Sequence, residues 1–554
     1  MKSTKVSMMF FKKLSLLTAA LLLAAFGGCG ADTQADSAQE TIPQYTLPPI
    51  IKEAVPAAGG ELIFPVPSAP SSMNPLKAKN VELYNMFSLI YEKPIRIGVD
   101  GKAQPELAET WDVDETGLVW TFHLRKGVQW QGDFGEMTSA DVLYTIGLLM
   151  TYSDADSNYV HNKGLITNYT APDAYTVQIT QSAPGYAAVY FMSFPVVCKA
   201  YCEAGNIDTD KPIGTGPYQI GSFDMEEQVD LEINPSWWKQ APYIQKLTAI
   251  CYPDHDAEMA SFEQNLLSIV TTSSLTVDTY QKYNQIEFKD YLTQYYDCLV
   301  PNMNGLFGDV NMRQAVAYAL DKRDIVSKAM LNHAVAVDYP VPPDSYLSGG
   351  SSKIYEYNQQ KAIDLLALSG WAERDTDGLL EKVEGESIND LTFELLVPIN
   401  TEEAYRRDVA ENIASQLRKI GMDVKIVEKE PDKFLAALQS GSFDLALCTF
   451  YMDINPDISD MIGTGGNMNF GYFSDTTMDS LLVTCQNALS EDALKVAYSA
   501  MEDRFLIQMP QIALYYRTNA LLYKAEINIA DNFRDRDIFS TIPQWYLFVE
   551  EPEA

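Results

Sequence analysis

The sequence predicts an α/β protein, and three observations carry that reading. From about residue 60 onward, short β-rich runs alternate with helical patterns. The stretch Phe443 to Phe450 is largely apolar and suits a strand buried on both faces, the kind found in sheets covered by helices. Hydrophobic residues make up 47% of the 554, so the chain can bury a large core without disulfide support.

The elements can be taken in order. Leu118 to Leu124 reads as a strand, followed by a turn over Gly127 to Gly135. Thr138-Ser139-Ala140-Asp141 is a capping box that opens a helix through Leu149. Asp309 to Met330 reads as one amphipathic helix, with Met312, Val316, Ala319, Leu320 and Val326 inside and Arg313, Lys322 and Asp324 outside. Val409 to Ile420 is a helix stopped at Gly421, with a strand over Val424 to Val427 after it. Ile512 to Tyr523 is a late, strongly β-rich run, and no repeat of solenoid or propeller period is visible.

The front end has a different character. Lys12 and Lys13 precede an apolar run from Leu14 to Phe26, which ends at Gly27-Gly28-Cys29. A basic segment, a short apolar segment and small residues before a cysteine resemble a bacterial lipoprotein signal, too short to span a bilayer comfortably. On that reading residues 1–28 are removed, Cys29 carries the lipid, and residues 29–59 form a flexible Ala/Thr/Gln/Pro-rich tether. The protein then works at an extracytoplasmic membrane face.

Four lysines and no acid lie in the signal, so the net charge of −35 becomes −39 in the mature chain. Such a charge argues against nucleic acid, whose phosphates need Lys and Arg partners. It argues equally against adsorption to anionic lipid, which leaves a covalent tether as the route to the membrane. The six remaining cysteines (Cys198, Cys202, Cys251, Cys298, Cys448 and Cys485) read as mostly free, buried thiols, without the paired spacing of a zinc site.

A set of ordered landmarks resembles one family, the family 5 solute-binding lipoproteins of bacterial ABC importers for oligopeptides, dipeptides and nickel. These are Asn74-Pro75, Ile90-Tyr91-Glu92, Leu107 to Trp111, Trp120 to Trp130 with Thr138 to Val142, Gly214 to Tyr218, Asn234 to Trp238, Arg313 to Lys322, Lys361 to Trp371, Leu417 to Gly421 and Ile512 to Tyr515. The resemblance implies a two-lobed periplasmic-binding-protein fold with a hinge and an extra subdomain in the first lobe. The expected division is residues 60–300 plus 519–554 for lobe I, including a subdomain at about 76–210, and 301–518 for lobe II. The chain is expected to cross near Val300 to Asn304 and near Arg517 to Tyr523. It also implies a monomer that delivers its solute to a membrane ABC permease, with no enzymatic activity and no cofactor.

Phe450-Tyr451-Met452-Asp453-Ile454-Asn455-Pro456 follows the buried strand, where α/β folds hold their ligands. The resemblance assigns Phe450 and Asp453 to the ligand site, with Asp453 meeting a peptide's α-ammonium; here Pro456 falls three residues after the acid, where the family usually has four. Gly465 to Tyr472 resembles the family's Asn-containing stretch downstream, so Asn469 and Tyr472 either line the pocket or belong to a glycine-rich surface loop. The arginine that clamps the carboxylate in dipeptide-specific members has no counterpart in Pro398-Ile399-Asn400-Thr401, and the nearest are Arg406 and Arg407. Longer peptides are therefore the expected cargo, with a nickel chelate, haem or another small cationic solute, or a peptide-sensing role without import, as alternatives. Asp375 to Glu381 lacks the ligand spacing of a calcium loop, Gly214 to Tyr218 lacks the Lys-Ser/Thr of a phosphate loop, and the four histidines are scattered. No metal site or catalytic residue is expected.

Overall fold

The computed structural model describes residues 56–548, apart from 161–162, 281–282, 284, 349–354 and 401–402. The signal segment, Cys29 and nearly all of the expected tether lie outside the described residues. Among those described, no helix is long and apolar enough to cross a membrane.

Three main sheets organise the chain. The first has Glu61–Pro67 parallel to Lys246–Tyr252, which continues antiparallel through Gln228–Ile233 to Tyr218–Asp224. The second is antiparallel, in the order Ala108–Val113, Val119–Leu124, Thr176–Gln181, Ile166–Asp173. Val119–Leu124 alternates buried Trp120, Phe122 and Leu124 with more accessible neighbours, the period-two pattern of a half-buried strand. The helix Ser139–Thr151 starts from the capping box, with Thr138 and Asp141 each bonded to the other's backbone.

The third sheet joins the two lobes. Its order is Ile269–Ser273, Ile512–Lys524, Ile286–Pro301, Leu445–Tyr451, Thr392–Pro398, Asp423–Lys429, with the short strand Ala334–Ala336 added to Ile512–Lys524. The strands of 16 and 13 residues, Ile286–Pro301 and Ile512–Lys524, pair along most of their length. Their ladder slips between Leu292 and Tyr296. On one side of the slip Ile269–Ser273 extends the sheet, and on the other Leu445–Tyr451 does. A separate apolar core around Phe307, Val316, Ile413, Leu417, Leu445 and Ile512 fills the second lobe.

The helix expected over Asp309 to Met330 is two helices, Val310–Ala319 and Lys322–Ala329. Leu320 is extended (ψ 116°), and the Asp321 carboxylate accepts from the amides of Arg323 and Asp324, starting a new helix. Arg313 and Lys322, expected outside, are buried. Arg313 donates to the carbonyls of Phe307, Gly308, Gln508 and Met509, and Lys322 donates to the Val337 carbonyl (2.8 Å) and the Asp338 carboxylate (2.6 Å). Spacing alone placed them outside because it assumed that charge means solvent.

Three landmark segments, far apart in sequence, converge on Glu92. Its buried carboxylate accepts from the Trp237 indole (3.1 Å), the Trp238 indole (2.8 Å) and the Thr215 hydroxyl (2.9 Å), with Lys239 at 3.3 Å. Gly214 and Gly216 lie against the Ile90 carbonyl, and an added Cβ on Gly214 would sit 1.9 Å from that oxygen. These landmarks hold the first lobe together; burying a carboxylate is tolerable because four donors meet it.

Candidate ligand-binding site

Leu445–Tyr451 ends at the seam between the lobes, and the chain beyond it walls a set of adjoining cavities. One is bounded by Leu292, Thr293 and Gln294 of the long strand, the segment from Pro340 to Leu347, Met452, Asp453, Ile454 and Pro456, Tyr190, Tyr498 and Arg534 with Asp535. A second lies between Tyr84, Lys93, Asn158, Tyr451, Asp453 and the tail segment Arg534 to Asp537. Gln294, Asp453, Ile454, Arg534 and Asp535 belong to both walls. A third shares Tyr190, Pro456, Ile458 and Tyr498 with the first and runs toward Tyr186, Asp457 and Gln486.

Asp453 is exposed, and its carboxylate accepts from the Ile454 amide. Phe450, by contrast, is buried, its ring stacked on Tyr296 at 6.5 Å between centroids. It supports the strand and lines none of the three cavities. Asn469 holds a loop together, donating to the carbonyls of Gly463 (2.8 Å) and Phe473 (2.7 Å) and accepting from the Phe473 amide (3.0 Å). Tyr472, with φ +57°, donates to the Gln439 carbonyl at 3.1 Å. Neither Asn469 nor Tyr472 lines the cavities that contain Asp453.

Residues that pattern reading missed supply much of the wall. Gln294 donates to the Met452 carbonyl and accepts from the Tyr451 hydroxyl, both at 2.5 Å, so the strand end is fixed to the hinge strand. The hydroxyls of Tyr190 and Tyr346 meet at 3.0 Å across the first cavity. Burial pushes the carboxyls of Asp344, Asp535 and Asp537 above their ordinary range. Burial works against the Lys93 charge, but Tyr84 and Asp537 outweigh it and hold the ammonium pKa up. The run Arg534-Asp535-Arg536-Asp537 was the available signal: four alternating charges between Phe533 and Ile538, both buried.

Arg406, one of the two arginines considered for a carboxylate, is occupied elsewhere. With Arg517 it shares the carboxylates of Asp297 and Glu403. Arg517 donates to both Asp297 oxygens (2.6 and 2.9 Å), to Glu403 (2.6 Å) and to Thr449 (2.7 Å), and Arg406 pairs with Glu403. Arg407 lies on the exposed side, paired with Glu411 and Glu428.

Residues 102–471 match the family described as "Bacterial extracellular solute-binding proteins, family 5 Middle". The chain belongs to that family. It is similar to the oligopeptide-binding protein AppA of Bacillus subtilis, 23% identical over 89% of this chain and 92% of the relative. The periplasmic oligopeptide-binding protein OppA of Escherichia coli is 24% identical over 82% and 86%. Among solved structures, the ABC transporter substrate-binding protein CtaP of Listeria monocytogenes superposes with a TM-score of 0.72, at 18% identity, over 89% of this chain and all of that one. The fold is therefore the two-lobed α/β periplasmic-binding-protein fold with a hinge. The family is one of extracytoplasmic solute-binding proteins that carry out transport without catalysis.

Proposed function

We propose that the protein is a lipid-anchored extracytoplasmic receptor that captures peptides, oligopeptides in particular, between its lobes and hands them to a membrane ABC permease. The observation that supports this most is the position of Asp453, an exposed carboxylate shared by two adjoining cavities at the end of a buried strand. A carboxylate in a cavity wall can receive an α-ammonium through a charge-assisted bond. Three cavities with shared walls give a ligand room for several side chains. The names of the similar proteins support a peptide cargo and a transporter partner.

The lobes in this reading are residues 60–300 with 519–554, including the subdomain at about 76–210, and residues 301–518. Flexing falls at the slipped ladder between Leu292 and Tyr296, a few residues before the crossing read from the sequence. Ligand bound to both walls shifts the equilibrium toward the closed form, which a permease recognises in a single working protomer. Leu14 to Cys29 supplies the anchor.

Native mass spectrometry of protein purified from its own host is expected to find peptides bound, and small-angle scattering to show compaction when they are restored. A non-peptide solute in the cleft, or identical profiles with and without saturating ligand, overturns the reading. Cys29→Ala is expected to release the protein from membranes; retention would remove the lipid anchor.

A further inference from the structure

We infer that the subdomain of the first lobe is a clasp for the closed form, in which residues 100–103, Gly117 and Gly185 seat against Tyr346 and the segment from Gln486 to Glu491. The inference rests on the reading of capture between the lobes, and it adds residues that set affinity without touching the solute.

Three contacts meet at one face, where the chain passes from the helix Thr476–Gln486 to the helix Glu491–Gln508. The half-buried Glu491 carboxylate accepts from the Ala103 amide at 2.9 Å and faces the Tyr186 hydroxyl. Gly185 meets the Gln486 carbonyl so closely that an added Cβ would collide with that oxygen. Its loop is already fixed, since the Gly185 carbonyl accepts from the Trp120 indole and the Gln181 side chain, both at 2.9 Å. Leu489 covers the buried Gly117, where an added Cβ would meet the leucine side chain at 2.9 Å.

A fourth contact carries the face to the ligand cavities. The Tyr346 amide donates to the Asp100 carbonyl at 2.8 Å, while its hydroxyl meets that of Tyr190 at 3.0 Å. Tyr190 and Tyr346 line the first cavity, and Tyr186 and Gln486 line the third.

No ladder stitches the two sides together. Among the described residues the strands between 95 and 181 pair only with one another, and Ala103–Pro105 pairs with Ile95–Ile97. The polar groups at the face are an amide, a carboxylate and a carbonyl, all of which water can satisfy when the surfaces part. Contacts present only in the shut form favour it whatever lies in the cleft, so they raise the affinity of every solute by the same factor.

The test compares the mature wild type with Leu489→Asp/Glu491→Ala and spares Gly185, whose φ of +154° would strain any other residue. A mixture of random-sequence pentapeptides is equilibrated with each protein by dialysis, bound peptides are read by mass spectrometry, and amide hydrogen exchange is followed with and without the mixture. In wild type, peptide is expected to slow exchange of the Ala103 amide at least tenfold. In the double variant that slowing is lost, every peptide is held at least tenfold more weakly, and the melting temperature without peptide is unchanged. Glu491→Gln keeps an acceptor for the Ala103 amide and should retain most of the affinity. Wild-type affinity in the double variant, or a loss confined to particular sequences, overturns the inference and leaves the peptide reading standing. A lower melting temperature without peptide also overturns it, because the contacts then belong to a fixed body. If wild type binds no peptide, the peptide reading fails, and the unliganded protein still decides the clasp. Ala103 exchanging as slowly as the core strands overturns it, and fast exchange upholds surfaces that part.

Discussion

Two constellations of charge flank the same pair of tyrosines, and they have opposite characters. On one side, Asp297, Glu403, Arg406 and Arg517 form a neutral foursome in which both acids bond to arginine and Arg517 spans the two carboxylates. Arg517 lies 5.2 Å from the Tyr295 ring, and Tyr295 meets Tyr451 edge-on at 5.4 Å. On the other side of Tyr451, Arg536 is stacked and Asp453 is exposed in the cavity wall. The first set is saturated from within the chain and rigidifies the junction of the long strands. The second has its charges facing space that a solute can enter. Charge density alone does not separate the two sets; their placement does, one buried at the strand junction and the other in a cavity wall.

Breaking the saturated set is expected to have the largest effect. Asp297→Asn strips Arg517 of its two-point partner in a buried setting, and losing one side of such a pair costs about 3–5 kcal/mol. Denaturant unfolding measures this directly; a loss below about 1 kcal/mol would show the foursome to be a surface-like pair of little worth.

Glu502 sharpens the comparison as a buried acid that pairs with no cation among the described residues. It is 5% exposed, Oε1 has no hydrogen-bond partner, and burial pushes its carboxyl up to about 8. Because the folded-state value is raised from 4.5 to about 8, the unfolded chain ionises first as pH rises. Stability from this group is therefore present below pH 4.5, falls between 4.5 and about 8, and levels off above. Glu502→Gln is expected to stabilise the protein by a few kcal/mol at pH 8.5 and not at pH 4. Thermal melts at the two values check it, and a gain independent of pH would refute the titration.

The smallest of the three effects belongs to the open set. Asp453→Asn is expected to weaken peptide binding at least tenfold, about 1.4 kcal/mol, with the melting temperature of the unliganded protein unchanged. Calorimetry on wild type and variant decides it; unchanged affinity removes Asp453 from the site.

Much of the local structure was legible in the sequence because it is set by neighbours. The capping box at Thr138 and Asp141 and the stop at Gly421, which has φ +83°, each depend on residues within one turn. The break at Leu320 was missed even though Asp321 is a good cap, since the apolar stripe continues through it. Asp453 was singled out by its place after a buried strand together with the family resemblance, and its role in binding is a proposal. The tail arginines were not, because nothing near residue 534 announces that it will reach a strand end near residue 451.

The sequence by itself determined the alternation of strands and helices, the acidic surface, the lipoprotein-like start and the family. Tertiary structure alone decided which charged groups neutralise one another and which face the seam. Asp297 and Arg517 are 220 residues apart, and Tyr451 and Arg536 likewise meet only when the tail folds back. Periodicity and capping report on interactions within a turn or a strand, whereas the pairing of charges depends on which surfaces the fold brings together and how much water it leaves between them.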